Sequence, residues 1–220
     1  MSGYTYRKAG IGDLGFLIEA IVEADKSGTD KVSFCTLFDI SEAKYKELLA
    51  LMLEEDFEGC EYSIGSFLVC EHDGKPVATI SGWIEQFDDN PASQTIRSNL
   101  INYYFPKESI EFARSNSKII GDIRIERYPM SLQIFMVYTR KEHRGHKLGQ
   151  ILLQEHFDRA IIEYPQLLKA QLQVYGNNVP AIKLYERIGF KTVEVFEQKH
   201  EDILDYLPSN EILLMEYNFK

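Results

Sequence analysis

Cysteine is scarce in this sequence and forms no recognisable pattern. The three cysteines, Cys35, Cys60 and Cys70, show no CxxC spacing, and no pair of histidines is placed to complete a zinc site. A disulfide framework is therefore disfavoured. We expect reduced, partly buried thiols, and the sequence predicts no bound metal.

Long apolar runs and an excess of positive charge are also lacking. No apolar stretch approaches the roughly 20 residues that span a bilayer, and the N-terminal sequence MSGYTYRKAG has no apolar core of the signal-peptide kind. With 24 lysines and arginines against 34 aspartates and glutamates, the formal net charge of −10 disfavours a nucleic-acid-binding surface. We therefore predict a cytoplasmic protein that binds neither membranes nor nucleic acids, with room for a cationic substrate.

The N-terminal part carries a strand pattern followed by two helix patterns. Tyr4–Lys8 alternates like a short strand, and apolar side chains at helical spacing follow Asp13, which is placed to cap the helix. A second helix is predicted after Ser41, where Glu42 and Lys46 stand four residues apart and favour an ion pair. This order predicts a strand with two helices behind it.

A hairpin and a long polar segment come next. Two β-rich runs, residues 66–71 and 76–85, flank Asp73-Gly74, a dipeptide that favours a tight turn between antiparallel strands. Residues 86–130 open with a polar stretch and contain a helix pattern, and we interpret them as an insertion in a single domain of residues 1–220. The insertion fits a lid or substrate wall as well as it fits a packed structural unit.

Strand and helix patterns alternate through the C-terminal half. A proline in the first turn and a glycine just after the last turn are typical of a helix, and residues 180–189 carry both, at Pro180 and Gly189. The predicted elements are a strand at 132–139, a helix at 148–162, a strand at 172–174, a helix at 180–188 ending at Gly189, and strands at 192–196 and 212–217.

The loop at residues 144–149, RGHKLG, joins a predicted strand to a predicted helix. Such a junction presents unpaired backbone N–H groups and the positive end of the helix dipole to one point, which suits a pyrophosphate. Arg144, His146 and Lys147 add positive charge at the same place. The alternative is an ordinary solvated helix start.

The segment from Val137 to Gly149 resembles the acetyl-coenzyme A signature of the GNAT acetyltransferases. That signature is Gln or Arg, two residues, Gly, one residue, and Gly or Ala. Arg144 takes the first position and Gly149 the last, whereas Lys147 replaces the central glycine, so that its side chain must point away from the ligand. The resemblance implies that the backbone of Val137 and Thr139 contacts the pantetheine and the acetyl carbonyl, and that the loop amides hold the pyrophosphate.

Residues 178–190, NVPAIKLYERIGF, match the second GNAT signature at every defined position: Asn, two residues, Ala, two residues, Leu-Tyr, three residues, Gly-Phe. The resemblance implies that Tyr185 is the general acid for the coenzyme A thiolate and that Asn178 contacts the pantetheine. A core tyrosine bonded to a backbone carbonyl is the alternative for Tyr185. The cofactor-binding residues implied are Val137, Tyr138, Thr139, Arg144, Gly145, His146, Lys147, Leu148, Gly149, Gln150, Asn178, Ala181 and Tyr185.

The general base has no clear sequence signal. Some members of this family carry a glutamate on the strand before the second motif, and Gln173 stands at the matching position. Glu85 and Glu126 are the remaining candidates for the base, although either carboxylate fits a surface position equally well. His143 and His146 adjoin the phosphate loop and are interpreted as cofactor-side or solvent-exposed.

The resemblance implies a mixed α/β (α+β) fold with a mostly antiparallel central sheet, flanking helices and a splayed central strand pair. It implies an N-acyltransferase whose partners are acetyl-coenzyme A and the primary amine of a small molecule, amino acid or protein, with direct attack in a ternary complex. The alternative is a non-catalytic module that binds acyl-coenzyme A or a protein on the same fold. An exposed strand edge would allow a homodimer.

Overall fold

The computed structural model describes residues 3–120 and 126–219. Within them, seven strands form one sheet and helices cover both of its faces. The strands are β1 (Tyr4–Lys8), β2 (Phe67–His72), β3 (Lys75–Ile84), β4 (Leu132–Thr139), β5 (Lys169–Tyr175), β6 (Lys191–Glu197) and β7 (Glu211–Asn218). The helices are α1 (Leu14–Asp25), α2 (Ser33–Phe38), α3 (Glu42–Glu54), α4 (Ser93–Tyr104), α5 (Lys107–Ser115), α6 (Ser117–Ile120), α7 (Leu148–Glu163), α8 (Val179–Ile188) and α9 (Ile203–Tyr206).

The strand order across the sheet is β1-β2-β3-β4-β5-β7-β6. Among the described strands, β4 and β5 are the only parallel neighbours, and every other adjacent pair is antiparallel. A parallel pair needs a crossover connection, and α7 provides it between β4 and β5. This architecture confirms the predicted fold class.

The sheet separates two hydrophobic cores because successive side chains of a strand point to opposite faces. On β2, Leu68 packs in the core beneath α7 and Val69 packs in the core beneath α1 and α3. Both side chains are almost fully buried, so the middle of the sheet is covered on both faces. No helix of the described residues is long and apolar enough to cross a membrane.

Local sequence signals predicted several elements correctly. The predicted bounds of β1 and β4 are those of the structure. The hairpin turn has positive φ at both Asp73 (52°) and Gly74 (73°), as a type I′ turn requires. At the start of α3, the Ser41 hydroxyl accepts from the Lys44 backbone N–H at 3.1 Å and caps the helix predicted to follow it.

The prediction that Asp13 caps α1 is wrong. Its carboxylate forms two hydrogen bonds with the Arg7 guanidinium, at 2.6 and 2.8 Å, and accepts from the Gly10 backbone N–H at 2.9 Å. A 3₁₀ turn at residues 11–13 precedes α1, so the carboxylate stabilises that turn instead of the helix. The hydrogen bonds from Arg7 lower the pKa of Asp13.

The segment between β3 and β4 is richer in helices than the sequence pattern indicates. Residues 86–130 contain α4, α5 and α6 where one helix was expected, and residues 121–125 lie outside the described part of the chain. Helix α2 was also not predicted, because six residues carry too few turns for a periodic apolar pattern.

Candidate active site

The central strands β4 and β5 separate part of the way along their length. They pair only from Leu132 to Ile134, opposite Ala170 to Leu172, although the two strands continue to Thr139 and Tyr175. Beyond the paired segment their edges face each other across a gap. The predicted splayed strand pair is therefore present, and the gap leaves backbone groups of both strands available to a ligand.

A β-bulge on β4 coincides with the point of separation. Against β3, Ser81 lies opposite Met136 and Gly82 lies opposite Ile134, which leaves Phe135 without a partner. An extra residue on one strand bends that strand and increases its local twist. The bulge therefore directs the end of β4 away from β5.

The gap opens into a cleft of about 670 Å³. All the cofactor-binding residues predicted from the sequence line it except His146, so strand, loop and helix do meet in one place. His146 lies outside the lining and packs its ring on Tyr4, with 5.6 Å between the centroids. From the sequence, His146 was predicted to bind the cofactor like the other residues of the loop. Only the path of the folded loop decides which of its side chains face the cleft.

The first turn of α7 presents a row of unpaired amides at the mouth of the cleft. Among the described residues, no backbone or side-chain group accepts from the backbone N–H groups of Gly145 to Gln150, and the first amide to bond within the helix is that of Ile151, to the carbonyl of Lys147. A Cβ on Gly149 would lie 3.0 Å from Cγ1 of Val137. The absence of that Cβ lets the helix start approach β4 closely.

Lys147, which replaces the central glycine of the family signature, has φ 59° and ψ 21°. This left-handed conformation is one that glycine adopts freely and that costs other residues about 1 kcal/mol. Its side chain is exposed. The chain therefore keeps the turn at the N-terminus of α7 without the glycine.

Asn178 and Tyr185 lie at the start and in the middle of α8. The side-chain oxygen of Asn178 accepts from the Ala181 backbone N–H at 3.3 Å and caps the helix. At the other end, Gly189 has φ 113° and terminates it as predicted. Both caps act within one turn, so they are local features of the second motif.

Tyr185 is 7% exposed and lies in the cleft wall with its ring edge towards Phe190. Among the described residues no hydrogen bond to its hydroxyl is found, so the core-tyrosine alternative lacks the carbonyl contact on which it depends. Burial raises the pKa of Tyr185 to about 12, which keeps the phenol protonated at neutral pH.

The two carboxylates suggested as the base lie outside the cleft lining. Glu85 is 1% exposed and accepts from the Trp83 indole N–H (3.0 Å), the Ser93 backbone N–H (2.9 Å) and the Ser93 hydroxyl (2.5 Å). Because Glu85 is buried away from the cleft, a bound amine has no access to it, which argues against a role in proton abstraction. Glu126 is exposed, and Gln173 does line the cleft but has no basic group.

Glu85 belongs to a buried charge network at one end of the cleft. Glu61, which is fully buried, lies 3.0 Å from Arg97 and 3.4 Å from Arg127. Although burial by itself raises the pKa of Glu61, Arg127 and Arg97 lower it overall. Arg127 also donates to the Ser93 hydroxyl that bonds Glu85, so two carboxylates and two guanidinium groups balance each other.

Sequence reasoning missed a third carboxylate, Asp25, which does line the cleft. It is the last residue of α1 and is partly buried, and its oxygens accept from the Ser33 side chain and from the Phe34 backbone N–H at 3.3 Å. Burial raises its pKa. No motif marks Asp25, because its position in the cleft depends on how α1 packs against the sheet.

Residues 106–192 match the family model of the acetyltransferase (GNAT) domain. An uncharacterised N-acetyltransferase of Schizosaccharomyces pombe is 26% identical over 127 residues, which cover 53% of this chain and 75% of that protein. The crystal structure of an N-acetyltransferase from Staphylococcus aureus Mu50 superposes with a TM-score of 0.66 at 14% identity, covering 97% of this chain and 100% of that one. The PaiA N-acetyltransferase of Thermoplasma acidophilum, solved in complex with coenzyme A, gives a TM-score of 0.52 at 16% identity, covering 98% and 99%.

Proposed function

We propose that the chain is a GNAT acetyltransferase and that it transfers the acetyl group of acetyl-coenzyme A to a primary amine by direct attack in a ternary complex. Acyl transfer is the chemistry of the family. The nature of the amine and the order of events at the site are proposals, for which the cleft supplies the physical argument.

The observation that carries this proposal is the row of unpaired amides from Gly145 to Gln150. Unpaired N–H groups at the N-terminus of a helix attract an anion, and the helix dipole adds to that attraction. Arg144 brings a positive charge to the same loop and lines the cleft. A pyrophosphate bound there would direct the pantetheine arm into the gap between β4 and β5, which Val137 and Thr139 line.

The proposed reaction needs three functions from the chain. The cleft holds the amine and the thioester together, and a backbone N–H of the splayed β4 donates to the oxyanion that develops on the acetyl carbonyl. The new C–N bond forms as the C–S bond breaks. Tyr185 then gives its proton to the departing thiolate, and burial, which raises its pKa to about 12, keeps the phenol protonated at neutral pH until then.

A non-catalytic acyl-coenzyme A-binding module is the second candidate. Gln173 favours it, since this residue lines the cleft where some members of the family place a basic glutamate. Binding of the acyl donor without release of thiol over a broad panel of amines would support the module and exclude the enzyme.

Calorimetric titration with acetyl-coenzyme A, followed by a thiol-release assay with an amine panel, tests the proposal. We expect tight binding to the parent protein and weaker binding to Arg144→Ala, because that variant removes a charge beside the amides while leaving the backbone unchanged. Lys191→Ala, on the exposed strand β6 outside the cleft lining, is the matched control for the loss of one positive charge. If neither acetyl-coenzyme A nor longer acyl donors bind, the proposed acyltransferase function is wrong.

Domain organisation, location and oligomeric state stay predictions. We propose a single domain with residues 86–130 inserted between strands, a cytoplasmic location, and a homodimer formed through a free strand edge. Strand β6 supports the last of these, because it ends the sheet and exposes Val193 and Val195. Sedimentation of the purified protein would test it.

A further inference from the structure

We propose that Asp25 binds the acceptor as an ammonium ion and then takes its proton, so that the acceptors are cationic primary amines without a carboxylate next to the amine. This inference rests on the proposed acyl transfer and assigns the base that the sequence did not reveal. It makes Asp25 a catalytic residue.

The position of Asp25 is the first argument. It lines the same cleft as Tyr185, and its side chain is partly buried, so a ligand in the cleft can reach it. The Ser33 side chain and the backbone N–H groups of Ser33 and Phe34 donate to the carboxylate, which has about four acceptor sites. These neutral donors orient the group and leave acceptor capacity on its oxygens.

The absence of a positive partner is the second argument. Among the described residues, no lysine, arginine or histidine forms an ion pair with Asp25, and the titratable groups around it are Glu23, Cys35, Tyr45, Tyr62 and Tyr175. A carboxylate in a partly desolvated wall is costly unless a cation or a proton accompanies it. The buried carboxylate of Glu61 has two arginines as partners, and an ammonium ion would give Asp25 the equivalent charge.

Aromatic side chains surround the carboxylate and suit an organic cation. The Phe34 and Tyr45 rings stack at 5.1 Å between centroids, and both residues line the cleft. The Tyr175 hydroxyl lies 3.2 Å from the Ser33 hydroxyl, which in turn bonds Asp25. These rings make the wall beside Asp25 apolar, so an alkyl or aryl group attached to the ammonium would pack here.

The proton balance follows from this arrangement. The ammonium ion gives one proton to the Asp25 carboxylate and becomes a neutral amine, whose nitrogen then attacks the acetyl carbon. Tyr185 protonates the sulfur of coenzyme A as the C–S bond breaks. The nitrogen loses its second proton as the amide forms, and that proton returns through water to the Tyr185 phenolate, while Asp25 releases the first proton to solvent. The sum is an amide, free coenzyme A and one proton.

The negative charge of the Asp25 side chain also predicts selectivity against acceptors that carry a carboxylate. An amino acid would bring its carboxylate to within a few bonds of Asp25, and Glu23 lines the same end of the cleft. Like charges at that distance repel each other and lower affinity. Phenethylamine and phenylalanine differ only by the carboxylate, so the pair isolates its effect.

The test measures amine binding to the protein saturated with coenzyme A, by calorimetry, and turnover with acetyl-coenzyme A. For the parent we expect phenethylamine to bind and react and phenylalanine to do so at least tenfold more weakly. Asp25→Asn keeps the size of the side chain and removes its charge, and should weaken phenethylamine binding by roughly tenfold or more. Asp25→Glu keeps the charge and should recover part of that loss.

Glu155→Gln is the matched control, since Glu155 pairs with Arg159 at 2.7 Å and lies outside the cleft lining. It should bind phenethylamine within about threefold of the parent. Unchanged acetyl-coenzyme A affinity in every variant would show that the cleft is intact.

Two outcomes would overturn the role of Asp25. One is equal phenethylamine binding by the parent and Asp25→Asn, and the other is failure of the parent to bind either phenethylamine or putrescine. Either result leaves the proposed acyl transfer standing where acetyl-coenzyme A still binds and another amine still releases thiol. Loss of acetyl-coenzyme A binding in the parent would instead overturn the proposed function itself.

Discussion

Gly82 of β3 lies directly beneath the imidazole ring of His156 on α7. A Cβ built on Gly82 would stand 2.3 Å from Nε2 of His156 and 2.8 Å from the backbone oxygen of Gln133. The second contact is with backbone, which cannot rotate away. This close approach seats α7 on the sheet beside the bulge at Phe135, and α7 is the helix whose first turn offers its amides to the cleft.

Gly82→Ala should therefore destabilise the protein strongly. We expect the free energy of unfolding to fall by about 2–3 kcal/mol, since the new methyl group overpacks a site with no space around it. Urea denaturation measures the change. Gly12→Ala is the control, because nothing lies within 4 Å of a Cβ at that position. Equal losses in the two variants would contradict the packing argument.

Acid should destabilise the fold through His156. Burial lowers its pKa from 6.5 to about 4, and Nε2 has no hydrogen-bond partner among the described residues. The unfolded chain therefore binds this proton below about pH 6.5 and the folded chain only below about pH 4, so stability is complete above pH 6.5 and falls as the pH drops through that window. Between pH 7 and pH 5 we expect this group to remove about 2 kcal/mol.

The same unfolding measurements on His156→Leu isolate that contribution. The variant has no titrating group at this position, so its stability should decline less between pH 7 and pH 5 than that of the parent. Parallel pH profiles for the two proteins would mean that His156 is not the group responsible.

Substitutions of Asn178 should separate helix capping from cofactor contact. Asn178→Ala removes the acceptor for the Ala181 N–H and should cost about 1 kcal/mol of unfolding free energy, together with affinity for acetyl-coenzyme A. Asn178→Ser keeps a capping oxygen and loses the amide group. We expect it to unfold like the parent and to bind the cofactor more weakly; unchanged affinity would remove Asn178 from the proposed pantetheine contacts.

Tyr185→Phe should reduce turnover with little effect on binding. Because the hydroxyl has no partner among the described residues, its loss should leave the free energy of unfolding within about 0.5 kcal/mol of the parent. Because the hydroxyl is the proposed proton donor to the thiolate, its loss should lower kcat about a hundredfold. Steady-state kinetics beside calorimetry with acetyl-coenzyme A checks both values, and an unchanged kcat would exclude Tyr185 as the general acid.

The correct sequence predictions concern features whose interactions lie within a few consecutive residues. The Asp73-Gly74 turn, the Ser41 cap and the Gly189 stop each depend on backbone conformation and hydrogen bonds within one turn. Asp13 shows where this reasoning fails. Its side chain is suited to cap a helix, but in the structure it forms an ion pair with Arg7, six positions earlier in the chain.

The sequence by itself determined the resemblance to the GNAT motifs, the order of the main strands and helices, and the loop whose amides remain unpaired, because those features follow from short-range spacing and residue type. Only the tertiary structure decided that Glu85 is buried in a charge network and that Asp25 lines the cleft. Ser33 and Tyr175 come within 3.2 Å of each other across 142 positions of sequence. Such contacts result from how helices pack on a bent sheet, and no local pattern contains them.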